Sequence, residues 1–315
     1  MLQKPSSFFL TERGRKLSFA IITGLGVGAT AIKFTPHTVL LYKYKELVHH
    51  HKNSKPVELS KEIQDRVQKC LDLLNFSERH RKLIQPFSVF GFDLFNAGTC
   101  SIKSKYGLAL GVPVNFAYKS MADLKKDDIQ VDQKSVDWNT ESGKKLAEAL
   151  LLTEDEQEFA LCRELITGNS IKVFLQSTYP FISVLTAFTL AQRLNMRFNL
   201  YAMPTQVRVV FYSIIGLFCL GIYFLFQDYT EVYYETVADK ELCEVDPRFI
   251  DAGISFYDKL LKRNQALREL MGAAGERLYS IKGNENFFIR QPRISLVHRK
   301  MFFESKKEDM EELTE

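Results

Sequence analysis

Three groups of side chains in this 315-residue chain are of types that bind metals, carry thiol chemistry or cradle a phosphate. His49, His50 and His51 stand in a row, and imidazole is a common metal ligand. Adjacent residues cannot all face one ion without unusual backbone geometry, so the triplet reads as a polar juxtamembrane linker within Lys43–Pro56. The five cysteines, Cys70, Cys100, Cys162, Cys219 and Cys243, form an odd set without C-x-x-C spacing, which implies neither a disulfide framework nor a zinc ribbon. Cys100 and Cys162 have no activating neighbour in sequence and are expected as buried thiols. Gly24-Leu-Gly-Val-Gly28-Ala29 fits both the dinucleotide pattern G-x-G-x-x-A and the helix-packing pattern G-x-x-x-G. It lies in an apolar run behind a basic flank instead of after a strand, so Gly24 and Gly28 read as a membrane helix-packing face.

The elements that must position these residues are set by hydropathy. Val173–Gln192 and Val209–Phe226 are uncharged, and as helices they would span about 30 and 27 Å, close to the thickness of a bilayer's hydrocarbon core. The connection between them carries Arg193, Arg197 and Arg208 without an acid, whereas Asp228 and Glu231 follow the second run, so charge bias puts the short loop on the side that retains positive charge. A third apolar run, Leu17–Ile32, follows Lys4, Arg13, Arg15 and Lys16, which suits an uncleaved anchor or a mitochondrial address. The net charge of +4 is too mild for a nucleic-acid footprint.

The expected organisation is a basic targeting leader (1–16), a first transmembrane segment (17–36), a soluble α+β domain (43–170), a transmembrane hairpin (173–226), a C-terminal helical region (229–303) and a charged, disordered tail (304–315). The fold class is an α+β membrane protein. Within it, Ile63, Val67, Leu71 and Leu74 mark an amphipathic helix over 59–75. Glycine-punctuated apolar residues from Phe87 onward predict two or three short strands. Lys119–Asn139 reads as a surface loop anchored by Trp138. Thr153 and Glu156 form a capping box that opens a helix running to about Thr167. Pro180 is expected to kink its span, and the helix through Ile254, Tyr257 and Leu261 to end near Gly272.

Several of these segments resemble the transmembrane protein 177 family. They are Val136-Asp-Trp138, the stretch from Glu158 to Glu164, the helix from Gly253 to Gly272, and the sequel through Gly275-Glu-Arg-Leu-Tyr to Gly283-Asn284. The order of leader, early span and late hairpin is shared, so the resemblance covers most of the chain. It implies a mitochondrial inner-membrane protein that helps assemble cytochrome c oxidase by stabilising newly made subunit 2 alongside a dedicated small chaperone. It implies no catalytic residue and no cofactor, and the partners would be subunit 2, its chaperone and the lipid bilayer.

A weaker resemblance links the order helix, membrane hairpin, acidic helix to the HtpX-type membrane zinc metallopeptidases. Those enzymes hold zinc with H-E-x-x-H on one helix and a later acidic motif, E-x-x-A-D. The corresponding stretches here are Arg163-Glu164-Leu-Ile-Thr167 and Glu235-Thr-Val-Ala-Asp239, with both imidazoles gone. Arginine offers no lone pair and threonine is a poor zinc ligand, so the resemblance implies a degenerate scaffold without peptidase activity. Two carboxylates that once faced a divalent cation would repel, which predicts an Arg163–Glu235 ion pair in its place, unless Arg163 and Glu164 are merely the solvated face of an amphipathic helix. An active zinc peptidase is the alternative, and it would lose turnover on Glu164→Gln.

Overall fold

The computed structural model describes residues 8, 11–101, 104–124, 126 and 129–312. Lys4 of the leader and residues 313–315 of the tail lie outside them. In chain order the elements are α1 (Glu12–Phe34), α2 (Leu41–Val48), β1 (His51–Lys52), β2 (Lys55–Pro56), α3 (Lys61–Leu73), α4 (Glu78–Leu83), β3 (Ile84–Val89), β4 (Phe95–Thr99) and β5 (Gly107–Pro113). They continue with β6 (Gln130–Val131), β7 (Lys134–Ser135), α5 (Glu141–Leu150), α6 (Glu154–Gly168), α7 (Lys172–Phe198), α8 (Thr205–Val245), α9 (Arg248–Met271), α10 (Ala273–Leu278) and α11 (Leu296–Glu312). The chain divides into two compact units: 1–37 with 171–231, and 38–170 with 232–315.

Among the described residues, three helices are long and apolar enough to cross a membrane: α1 with its terminal turn, α7 and α8, whose first part belongs to the first unit. Their outward faces are large and apolar, as at Ile214 and Leu217, which water would not solvate but acyl chains do. Thr11 caps α1 through a bond from Gly14 N, so Arg13, Arg15 and Lys16 lie in the first turns of the helix. Phe181 packs over Gly26, where a Cβ would meet its ring at 2.9 Å, and Phe19–Phe188 and Phe34–Phe174 ring pairs extend this α1–α7 seam. Gly24 and Gly28 have open space beyond their α-carbons, so the small-residue contact within the chain falls on Gly26 instead. Polar contacts join α7 to α8: Ser183 Oγ donates to Cys219 O, Asn195 to the Tyr212 hydroxyl, and Lys172 pairs with Glu231 at 2.6 Å. Such bonds are hard to exchange for water inside hydrocarbon. Pro180 lies inside α7, and Asn199 in the left-handed conformation ends it.

The second unit is built on a three-stranded sheet in the order β3-β5-β4, with β5 parallel to β3 and antiparallel to β4. Central β5 is buried throughout, and its period-2 alternation sends Leu108, Leu110 and Val112 to one face and Ala109 to the other. The first face meets α3, α6, α9 and α11 around Phe159, Phe249, Tyr257 and Phe303. The second is covered by α2 through Leu41, against Phe87, Val89 and Ala97. The sheet of the first half thus shares its core with helices from beyond the hairpin, and the regions 43–170 and 229–303 are one body.

Three expectations are corrected here. The tail is helical through Glu312, because Phe303 is fully buried and Lys300 and Lys307 pair with Asp258 and Asp251 on α9. Lys119–Asn139 contributes Leu124, Ile129, Val131 and Val136 to a separate core with α5 and α9, and Trp138 packs at its edge. The histidine linker is stitched to the sheet: His50 N donates to Ser88 O, and the His49 and His50 rings turn to Phe87 and Phe90, apart from each other.

Candidate functional site

The chemistry-bearing residues of the second unit meet where α6, α8, α9 and α11 pack together. Asp239, 3% exposed, lies one helical turn beyond Glu235 on α8, so both carboxylates occupy one face. Arg299, reaching in from α11 and 5% exposed, grips Asp239 with two bonds of 2.7 Å, Nε to Oδ2 and Nη2 to Oδ1. This is the fork geometry that makes arginine–carboxylate pairs strong. Its remaining nitrogen, Nη1, lies 3.4 Å from Glu235 Oε1, while Glu235 Oε2 accepts Ile294 N at 2.9 Å. Tyr257 donates its hydroxyl to Asp239 Oδ1 at 2.9 Å, and the Arg299 guanidinium stacks over the Tyr257 ring at 4.9 Å.

From Tyr257 the network passes to α6. Arg163 Nη1 donates to the Tyr257 oxygen at 3.4 Å, and Arg163 Nε and Nη2 bond to Glu164 Oε1 at 3.1 and 2.6 Å. Asn96 of β4 donates to the other Glu164 oxygen, and the Phe256 ring covers the Arg163 guanidinium. Burial works against the Arg163 charge, but the facing Glu164 carboxylate and Tyr257 oxygen hold its pKa well above the ordinary value. Burial likewise opposes the Arg299 charge, and Tyr257 and Asp239 overcome it, leaving that pKa raised. The Tyr257 phenol is pushed up chiefly by burial, so it keeps the proton it donates to Asp239.

Arg163, Glu164, Glu235 and Asp239 therefore do converge, but in a different pairing from the one expected. Arg163 takes Glu164, its own neighbour, and the cation facing Glu235 is Arg299. The reason is geometric: Glu235 sits against the segment that leads into α11, which supplies both the Ile294 amide and the guanidinium. Thr167 takes no part, since its hydroxyl donates to Arg163 O one turn back. The donor set does not fit zinc. Positions 163 and 167 offer a guanidinium and a spent hydroxyl, and both later carboxylates are committed to Arg299. What the arrangement can do is neutralise buried charge and lock four helices in register.

The residues that carry the family resemblance have structural work of the same kind. The Thr153–Glu156 capping box forms, and Glu156 reaches on to Ser255 and Lys259 of α9. Glu158, nearly fully buried, bonds Lys69 of α3 at 2.6 Å and Arg248 of α9 at 2.5 Å. Gln157 accepts from Arg66, so three consecutive polar side chains on α6 all point inward. Gly253 admits Phe303 and Phe159, which a Cβ would meet at 2.9 and 3.0 Å. Gly283, at φ +86°, backs onto Leu261 O, and its carbonyl accepts from Asn264. The cysteines are free: burial lifts the Cys100 thiol to about 11, and a hydrogen bond with Cys70 together with burial raises that of Cys162. Sequence reading missed Arg299, Tyr257 and Asn96, and nothing local marks them out.

Residues 11–313 match the family model described as transmembrane protein 177. Among its relatives, a Xenopus laevis transmembrane protein 177 is 27% identical over 283 residues, covering 88% of this chain and 87% of that one. A Danio rerio member is 28% identical over 258 residues (80% and 79%), and a Homo sapiens member 26% over 272 (83% and 84%). No solved structure gives a significant match. Matched from the capped start of α1 to the end of α11, the chain belongs to the transmembrane protein 177 family.

Proposed function

We propose that this chain is a non-enzymatic assembly factor of the mitochondrial inner membrane, which stabilises newly made cytochrome c oxidase subunit 2 together with its chaperone. The observation that carries the non-enzymatic part is the Arg299 guanidinium clamped between Glu235 and Asp239, in a cluster where Arg163 and Thr167 offer no metal ligand. Membership of the family over nearly the whole chain, with three membrane-capable helices, supports the setting. The basic start and the Arg193–Arg208 connection would both face the matrix in a three-span topology, leaving the second unit in the intermembrane space. A basic start and apolar first run also suit mitochondrial import.

The test is pulse-labelling of mitochondrial translation products in cells lacking the protein. Subunit 2 should be made at the normal rate and then decay faster than the other products, with rescue by the wild-type chain. Crosslinking should capture subunit 2 on it during the chase. Equal decay of all products would overturn the proposal. Protease treatment of mitoplasts, with a tag at each terminus, checks the topology: the C-terminal tag should be digested once the outer membrane is opened.

A further inference from the structure

Two of the points at which the chain passes between the membrane helices and the second unit meet one end of the three-stranded sheet. After α1 closes with the turn Thr35–His37, Leu41 at the start of α2 packs against Gly98 near the end of β4, where a Cβ would lie 3.0 Å from its side chain. Gly98 itself abuts Gly107 O at the start of β5, and Gly107 abuts Leu83 O, the end of α4 just ahead of β3. On the other side of the hairpin, Thr99 Oγ1 donates to Ser170 O at 2.8 Å and Cys100 N to Gly168 O at 3.2 Å, directly ahead of α7. The segments that adjoin α1 and α7 along the chain are thus both fastened to the same end of the sheet, a few residues from helices long and apolar enough to cross a membrane.

That end carries a cavity of about 510 Å³, lined by Arg79, Lys82, Leu83, Ser104 and Lys105. Arg79 and Lys82 come from α4 and Lys105 from the loop between β4 and β5. None of the three cations forms an ion pair among the described residues, so the cavity gathers positive charge without an internal counterion. Ser104 is buried and its oxygen accepts Tyr106 N, which leaves its hydroxyl proton free to point at a ligand. Leu83 adds an apolar wall. We propose that this cavity binds the phosphate of an anionic phospholipid headgroup. A guanidinium suits bidentate phosphate contact, two ammonium groups supply further charge, and leucine suits the glycerol and first methylenes.

The test uses the full chain reconstituted in nanodiscs of equal phosphatidylcholine and phosphatidylglycerol, followed by native mass spectrometry of the lipids retained on the released protein. Wild type should keep phosphatidylglycerol over phosphatidylcholine by about tenfold, the scale expected for a few basic side chains at an anionic surface. The triple variant Arg79→Ala/Lys82→Ala/Lys105→Ala should lose that preference while melting at the wild-type temperature. Lys82→Glu alone, a surface change that leaves the core untouched, should weaken it and guards against a misfolded triple variant. Titration with inorganic phosphate separates the two sources of the group. Equal retention of both lipids by wild type, a preference the variants keep, or phosphate binding without lipid preference would each overturn the proposal. The inference rests only on the membrane helices, so its failure leaves the assembly role standing.

Discussion

Asp239 is the central acceptor of the buried cluster, since it receives both arms of Arg299 and the Tyr257 hydroxyl. Removing it leaves a guanidinium stranded where water does not reach. Asp239→Ala should cost about 3–5 kcal/mol, the usual penalty for breaking a buried pair from one side, read as a lowered denaturation midpoint of the purified full chain. Glu235→Gln should cost only about 1 kcal/mol, because Arg299 keeps its bidentate partner and the amide oxygen still accepts Ile294 N. Equal effects of the two changes would contradict this ranking. Arg299 also shows where sequence reading stops at this scale. Glu235 and Asp239 declare themselves by spacing, but their cation comes from another helix and looks in sequence like an ordinary surface arginine.

Among the elements, glycine placement decides which helix faces meet. Gly26→Leu should disrupt the α1–α7 seam by colliding with Phe181, whereas Gly24→Leu and Gly28→Leu meet open space and should leave it intact. Crosslinking between single cysteines placed on α1 and α7 checks the difference. A pH-dependent contact fastens α11 to α9. Burial works to raise the Asp258 pKa, but Lys262 at 2.8 Å and Lys300 at 2.7 Å outweigh it, leaving the value below the ordinary 3.8. A carboxylate lowered on folding adds stability above its ordinary pKa and loses it as pH falls through the folded value. Wild type should therefore lose more stability than Asp258→Asn on acidification from about pH 5 to pH 3, measured by thermal melting in detergent.

What was legible among the elements follows from how local each signal is. The capping box at Thr153 and the apolar stripe of α3 involve neighbours along one helix, and both are present. Helix α5 went unpredicted although Thr140 caps it, because Leu146, Ala147 and Leu150 gain their partners only from α9 and the 124–136 segment. The tail reads as disordered from its charge, yet Phe303 reaches a core assembled from Phe159 and Tyr257 far along the chain. The two bilayer-length runs of the hairpin were plain, since hydrophobic length needs no tertiary partner.

In the whole molecule, membrane-capable helices are joined to a body whose buried carboxylates are closed by its own arginines, which supports the proposed role of holding a partner without turning one over. Its most direct test is the zinc content of full-length protein purified from zinc-supplied cells, measured by mass spectrometry alongside Asp239→Asn. The account predicts zinc far below stoichiometric in both, with no loss of wild-type stability on chelation. Stoichiometric zinc in wild type that Asp239→Asn abolishes would contradict it.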